Sequence, residues 1–486
     1  MSSHVNRLPV EIRSLVFSEL STAELDRTQR AVCKLWKVEI EDSPSLSRTV
    51  CNVQPNRLND VLRRSRNLLI TVTLHCNTPE ELALASAALS PQMSRVIALD
   101  FSVNFSRWPG SDNESIGHLL TLLSKPAPKL ERLELALGFF VDPFNVQIFS
   151  GIAPNLVFVD VIGIDFAVRQ EAFSRVKILT AWAAREWPAP DGTAGQWEVF
   201  THIQHIASHF PSLRTLKLID FPGASDIFRP GNILPPNVRD LELTFDPMET
   251  IESAAQTFRA LNTARWHQLS RLRLNEVPGG RMQLLLAAVT VAGVHLTSDE
   301  RRVIRFVTDR GVRLEFAKPW IADLEALVAP ESTALASATR LDIGAKALYY
   351  FELPFIHRLA RHCNFRTVLL PVGLSKCSGP TIFPRWMEGT QNAVVQGMRT
   401  GRLQFKALQH LLLSGPEDII LTFNAVKGLA CVLDTEQLWD GREDWGGLDV
   451  RLCGVSIYED VRTGMLHSAL FRTLVRQKER EDDDPI

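Results

Sequence analysis

Apolar residues return along most of this chain at positions i, i+3 and i+5. Clear copies are Leu130/Leu133/Leu135, Leu213/Leu216/Leu218, Val238/Leu241/Leu243, Leu269/Leu272/Leu274 and Leu408/Leu411/Leu413. Looser ones are Leu69/Val72/Leu74, Val96/Leu99/Phe101, Leu156/Val159/Val161, Val176/Leu179/Ala181, Ala338/Leu341/Ile343 and Phe365/Val368/Leu370. Residues 311–316 and 448–452 read as degenerate members. The alternation within each copy predicts a short strand with one buried face. Pro128, Pro154, Pro211 and Pro236 stand just ahead of their copies, where proline ends a preceding helix. Between copies the spacing turns helical, over residues 115–125 and 197–210. The longest apolar run, residues 282–296, is interrupted by Gln283, Thr290 and Gly293 and is shorter than the ~20 residues needed to cross a bilayer. It reads as a buried helix between strands. Strand, turn and helix thus recur every ~20–43 residues, the mark of a repeat array.

The N-terminal residues keep a different rhythm. Pro9 suits the first turn of a helix, and Ile12, Leu15, Val16 and Leu20 then form one apolar stripe. Val10 and Phe17 add a second stripe beside it. Ser21 and Glu24 have capping-box spacing for a second helix. Val32, Leu35, Trp36 and Ile40 line a third, which Ser43-Pro44 ends. A unit of about 45 residues buries too little to be comfortable alone. Two stripes on one helix imply two things to pack against, its own neighbours and a partner.

The Leu-Pro-x-Glu-Ile opening at Leu8 and the Val-Cys-Lys-x-Trp close at Val32 resemble an F-box. That family's helices dock a Skp-type adaptor in SCF ubiquitin ligases. The resemblance implies that Leu8, Pro9, Ile12, Leu15, Val16 and Leu20 meet the adaptor. Leu25, Val32, Cys33 and Trp36 would complete that surface or the hairpin core. The polar run from Asp26 to Arg30, and Leu46-Ser47 where many members have Leu-Trp, depart from the family pattern. The first helix is therefore the expected docking surface. The repeats resemble leucine-rich repeats, whose units stack into a solenoid. The regular Asn or Cys of that family is missing and the period wanders, so the horseshoe should be irregular. The expected architecture is α/β: a three-helix F-box over residues 1–50, then an irregular leucine-rich-repeat-like solenoid with a curved parallel sheet over residues 51–475. A charged disordered tail follows over residues 476–486.

Composition adds limits. The chain has 486 residues, 45% of them apolar, enough for several domains or a long array. A net charge of −2 gives no global basic field, so nucleic acid is not the expected partner. The seven Cys are scattered without a CxxC pair, which suits reduced thiols in the cytoplasm or nucleus. The first residues lack a secretory pattern, and no membrane association is expected.

Catalytic signatures are missing from the sequence: there is no GxSxG, Walker A, HExxH or Rossmann glycine pattern. No cofactor is expected. His202, His205 and His209 lie on one side of a helix, yet they flank its apolar stripe and read as a solvated edge, with no metal expected. His357, Arg361 and His362 decorate another inter-strand helix. Turn-rich insertions at residues 187–192, 222–236, 375–389 and 437–447 offer Trp386, Trp439 and Trp445 as anchors or as loop packing. The reading that follows is a non-catalytic receptor, not an enzyme. Its N-terminal helices would reach a cullin–RING ligase through the adaptor, and its repeats would hold an unidentified target protein. The alternative is a scaffold with the same repeats, acting outside a ubiquitin ligase.

Overall fold

The structure, a computed structural model, describes residues 48–51, 53–104, 113–137, 144–162, 164, 166–182, 206, 208–221, 235–245, 268–277, 282, 286, 289–298, 302–317, 319, 321–329, 332–343, 353–371, 409–421 and 449–457. The chain divides into two compact units, Met1–Glu242 and Leu243–Ile486. Both are mixed α/β.

In the first unit the strands follow one another in sequence order, each parallel to the last. They are β1 (Thr49–Cys51), β2 (Ile70–Cys76), β3 (Val96–Val103), β4 (Arg132–Leu137), β5 (Phe158–Ile162), β6 (Ile178–Trp182) and β7 (Thr215–Phe221). β8 (Asp240–Phe245) starts here, where the Arg239 and Asp240 N–H groups both donate to the Arg214 carbonyl. Helices α1 (Pro55–Arg64), α2 (Pro79–Leu89) and α3 (Asn113–Leu123) lie between the early strands. α2 begins where it does because the Thr78 hydroxyl accepts from the Glu81 N–H and Pro79 fills the first helical position. α1 ends against Arg95, whose guanidinium donates to the carbonyls of Leu62 and Leu68, to Ser65 Oγ and to Gln92 Oε1 at 2.7–2.9 Å.

The i, i+3, i+5 spacing becomes a register. Leu99 lies opposite Leu133, then Val159, Leu179 and Leu216 on successive strands, and all are fully buried. Phe101, Leu135, Val161, Ala181 and Leu218 form the next rank. Ahead of each strand a tight turn brings the first apolar N–H back three residues. Leu130 donates to Ala127, Leu156 to Ala153, Val176 to Phe173, Leu213 to Phe210 and Val238 to Pro235. Pro128, Pro154, Pro211 and Pro236 occupy the second turn position, which their fixed φ favours.

The third turn position carries a ladder between repeats. Asn155 Nδ2 donates to the Pro128 carbonyl at 3.0 Å, Arg175 Nη1 to Pro154 at 3.3 Å, Ser212 Oγ to Ser174 at 2.8 Å and Asn237 Nδ2 to Pro211 at 2.9 Å. Each turn is thus pinned to the one before it. Phe173 and Phe210, at the same turn position in successive repeats, stack with centroids 4.7 Å apart.

One copy is shifted. Leu69 was the expected first apolar position of β2, but Leu69 is 40% exposed and Ile70 takes its place, fully buried and opposite Val96. The register slips between Ile70 and Thr71, so β2 reaches the same ranks with one residue fewer.

The second unit departs further from the expected order. β9 (Arg271–Asn275), β10 (Val291–Ser298), β11 (Arg302–Thr308), β12 (Arg313–Ala317), β13 (Arg340–Ile343), β14 (Thr367–Pro371), β15 (His410–Leu421) and β16 (Asp449–Ile457) run in the order β9-β12-β11-β10-β13-β14-β15-β16. β11 is antiparallel to both its neighbours; the other pairs are parallel. α4 (Ile321–Leu327) and α5 (Leu353–His362) precede β13 and β14.

Two expectations are corrected here. Residues 282–296 are not one helix. Met282 and Leu286 are helical and buried, but β10 begins at Val291, where β-branched Val291 and Val294 and the helix-weakening Gly293 favour the strand. Residues 311–316 do not open a further repeat in sequence order. They continue a hairpin in which the Thr308 N–H donates to the Val312 carbonyl and Gly311 takes φ +79° to close the loop. β12 then returns beside β9, with Leu314 opposite Leu272 and Phe316 opposite Leu274. No helix among the described residues is long and apolar enough to cross a membrane.

Candidate functional site

The leucine ranks bury one face of the strands in each unit. Because strand side chains alternate, the residues between the leucines share the other face. In the second unit these are Arg271 and Arg273 on β9, Arg313 and Glu315 on β12, Arg305 on β11, His295 on β10, and Arg340 and Asp342 on β13. Pairing places them side by side: Arg273 opposite Glu315, Glu315 opposite Arg305, Arg305 opposite His295, and His295 opposite Asp342.

Two carboxylates floor this row. The Glu315 side chain is only 4% exposed. Its Oε2 accepts from Arg271 Nε at 3.0 Å and Nη2 at 2.6 Å, and its Oε1 from Arg305 Nε at 2.7 Å. Burial pushes the Glu315 carboxyl up, but the Arg271 hydrogen bonds and the charges of Arg271 and Arg305 outweigh it and hold the group below its ordinary value. Asp342 is arranged in the same way. His295 Nδ1 lies 2.8 Å from its Oδ2, and Arg340 Nε donates to its Oδ1 at 2.9 Å. A carboxylate can only accept, so the proton of this contact sits on Nδ1. Burial raises Asp342, and the His295 and Arg340 hydrogen bonds more than reverse it.

The arginines are held at one end. Arg305 and Arg340 spend Nε on the floor, and their terminal amino groups make none of these bonds. Their side chains are 30% and 49% exposed, and that of Arg271 is 40% exposed. Fixed guanidinium forks of this kind suit carboxylate or phosphate groups.

The matching face of the first unit has the opposite sign. Asp100, Glu134 and Asp160 lie on neighbouring strands in one register row, and Asp240 and Glu242 follow on β8. Arg132 and Lys217 are the cations among them. Arg132 pairs with Glu134 and lies 4.4 Å over the Phe158 ring, while Lys217 reaches Glu242 at 3.8 Å. Burial, and then the Glu134 charge, push the Asp100 carboxyl above its ordinary value despite His75, Thr73 and Arg132.

The buried thiols of Cys76 and Cys363 are not poised as nucleophiles. Burial pushes both up to about 12, with Glu81 adding to the effect at Cys76, so they stay protonated at neutral pH. Among the described residues no group of His, Cys, Asp and Glu is placed to hold a metal ion. His209, expected on a solvated helix edge, is 5% exposed and packs beside Phe210. His202 and His205 lie outside the described residues, as do Trp386, Trp439 and Trp445 of the turn-rich insertions. So do the residues that the F-box resemblance would turn toward an adaptor, Leu8, Pro9, Ile12, Leu15, Val16, Leu20, Leu25, Val32, Cys33 and Trp36.

The arginine row did not emerge from the sequence, because its members stand singly between the leucines and only strand pairing aligns them. Its signal is the residue between them: Arg-Leu-Arg-Leu at Arg271, Arg-Leu-Glu-Phe at Arg313 and Arg-Leu-Asp-Ile at Arg340. No family model matches the chain, and the search of curated proteins found no similar protein.

Proposed function

We propose that this protein is a non-catalytic substrate receptor of an SCF-type ubiquitin ligase. On this reading the N-terminal segment docks a Skp-type adaptor through Leu8, Pro9, Ile12, Leu15, Val16 and Leu20, and the turn-and-strand repeats are units of an irregular leucine-rich-repeat solenoid that holds the target. Ubiquitin transfer belongs to the assembled cullin–RING ligase, and this chain supplies proximity by raising the target's effective concentration. The cytoplasm or nucleus is where such a complex would work. The observation that carries the reading is the division of labour along each strand. The apolar ranks are spent on the core, while the alternate positions carry polar faces, which in the second unit include arginines fixed by buried carboxylates.

The test is recovery of a Skp-type adaptor by full-length protein and by a Leu8→Asp/Ile12→Asp variant. Each buried Leu or Ile anchor is worth about 1.5–3 kcal/mol, so the double variant should lose more than 90% of the recovered adaptor, at least about tenfold. Equal recovery by both proteins would sink the proposal.

A further inference from the structure

We infer that Arg271, Arg305 and Arg313, gathered about the one Glu315 carboxylate, form a binding site for a single phosphate monoester. The inference stands on this part of the second unit and does not require the N-terminal segment to dock an adaptor.

The site is compact because the arginines converge. β12 lies between β9 and β11. Arg313 and Glu315 are two residues apart on β12 and so share one face of the strand. Across one pairing Arg271 lies opposite Arg313, and across the other Arg305 lies opposite Glu315. Arg271 is therefore diagonal to Glu315, and it leans along the sheet to reach Oε2 at 2.6 Å. Arg305 reaches Oε1 from the other side at 2.7 Å. Two guanidinium groups close on the two oxygens of one buried carboxylate, and exposed Arg313 stands on the strand between them.

The cations outnumber what Glu315 can satisfy. Each of its oxygens already accepts from an arginine, and the Arg313 guanidinium bonds none of the described residues. Arg313 and Arg271 stand side by side with like charge, which repels until an anion comes between them. The hairpin turn adds exposed Asp309 and Arg310, one of each sign, and leaves the balance as it was.

The number and direction of the donors select the ligand. Among the described residues Arg305 keeps both Nη groups for a guest, Arg271 keeps Nη1 and Arg313 keeps its whole fork. These donors come from three strands, so they meet an anion from three sides. A phosphate monoester offers three terminal oxygens and close to two charges, whereas a carboxylate offers two oxygens and one charge. Glu315 fixes Arg271 and Arg305 before the ligand arrives, so little side-chain freedom is lost on binding. A nucleic-acid strand is a poorer fit, because it needs a run of cations. Beyond Arg305 the run stops, since His295 and Arg340 already share Asp342. The same chemistry serves a phosphorylated side chain or free phosphate, and the experiment separates the two.

The experiment is fluorescence anisotropy with the full chain and a labelled Gly/Ser peptide carrying one phosphoserine. A second peptide carries glutamate in its place, and inorganic phosphate is the competitor. The phosphopeptide should bind about tenfold more tightly than the glutamate peptide, and Arg313→Gln should weaken it about tenfold, the usual effect of losing a charge-assisted hydrogen-bonded pair. Arg313 bonds no described residue, so its loss spares the fold, and an unchanged melting midpoint verifies this. Arg361→Gln on α5 removes the same charge from an exposed position elsewhere in the unit and should bind as wild type. Displacement by inorganic phosphate near the peptide's own dissociation constant assigns the site to free phosphate. Displacement only at concentrations about tenfold higher or more assigns it to a phosphorylated side chain. Equal binding of the two peptides, no competition by phosphate, wild-type affinity in Arg313→Gln, or an equal loss in Arg361→Gln overturns the inference.

Discussion

Arg95 does the work of a helix cap from outside the helix. The last carbonyls of any α-helix lack an internal partner, and in α1 the guanidinium takes that of Leu62 together with Ser65 Oγ and the Leu68 carbonyl. One side chain therefore joins α1, the chain entering β2 and the turn before β3. Arg95→Ala should cost about 1–2 kcal/mol, read as a lower urea midpoint, because several acceptors lose a charged donor at once. Arg95→Lys should recover only part of it, since one ammonium cannot span a fork. A full rescue by lysine would mean that charge alone matters here. Glu315 shows the reverse arrangement, an acid that burial would neutralise but two arginines keep ionised. At this scale the polar residues of the chain act mainly by fixing other groups in place.

At the scale of elements, the turn decides where each strand begins and the hairpin decides where the strand order breaks. Gly311 sits at φ +79° with nothing within 4 Å of an added Cβ, so only the backbone objects to a side chain there. Gly311→Ala should destabilise the β11–β12 hairpin by about 1 kcal/mol. The readout is faster hydrogen exchange at the Thr308 amide, and unchanged exchange would refute it. The strands and their buried positions were legible in the sequence because three leucines at i, i+3 and i+5 permit little else. The turns were legible through Pro128, Pro154, Pro211 and Pro236. The ladder at the next position was not, because Asn155, Arg175, Ser212 and Asn237 share only the ability to donate a hydrogen bond. β10 was misread because a short apolar run has no period that separates strand from buried helix. The Leu69-to-Ile70 shift depends on which partner residue faces β2, and local spacing does not contain that. The arginine row was visible only as scattered charge until pairing aligned it.

For the whole molecule, a net charge of −2 conceals two faces of opposite sign, one in each unit. Their responses to acid should differ. Glu315 and Asp342 have folded values below their unfolded ones. Their stabilisation is present above the unfolded carboxylate range of about 4 and is lost as pH falls through the lower folded values. Asp100 is raised, so its contribution is present below the unfolded value and is lost as pH rises through the folded one. Hydrogen exchange followed from pH 6 to about pH 3 should therefore show β9 to β13 losing protection while β3 and β4 are spared the loss from this source. Simultaneous loss in both sets would count against the assignment. The turn ladder has a consequence for how such a chain can change. Each joint asks only for a donor at one position and a carbonyl in the turn before it, and it is indifferent to the length of chain between them. The stretch from Val176 to Leu213 is much longer than that from Leu156 to Val176, yet both end in the same joint. The joint thereby leaves the length of the connecting segment open, whatever core side chains that segment also supplies. Connecting segments can lengthen, shorten and diversify without disturbing the register, so variation can accumulate there while the strands stay fixed.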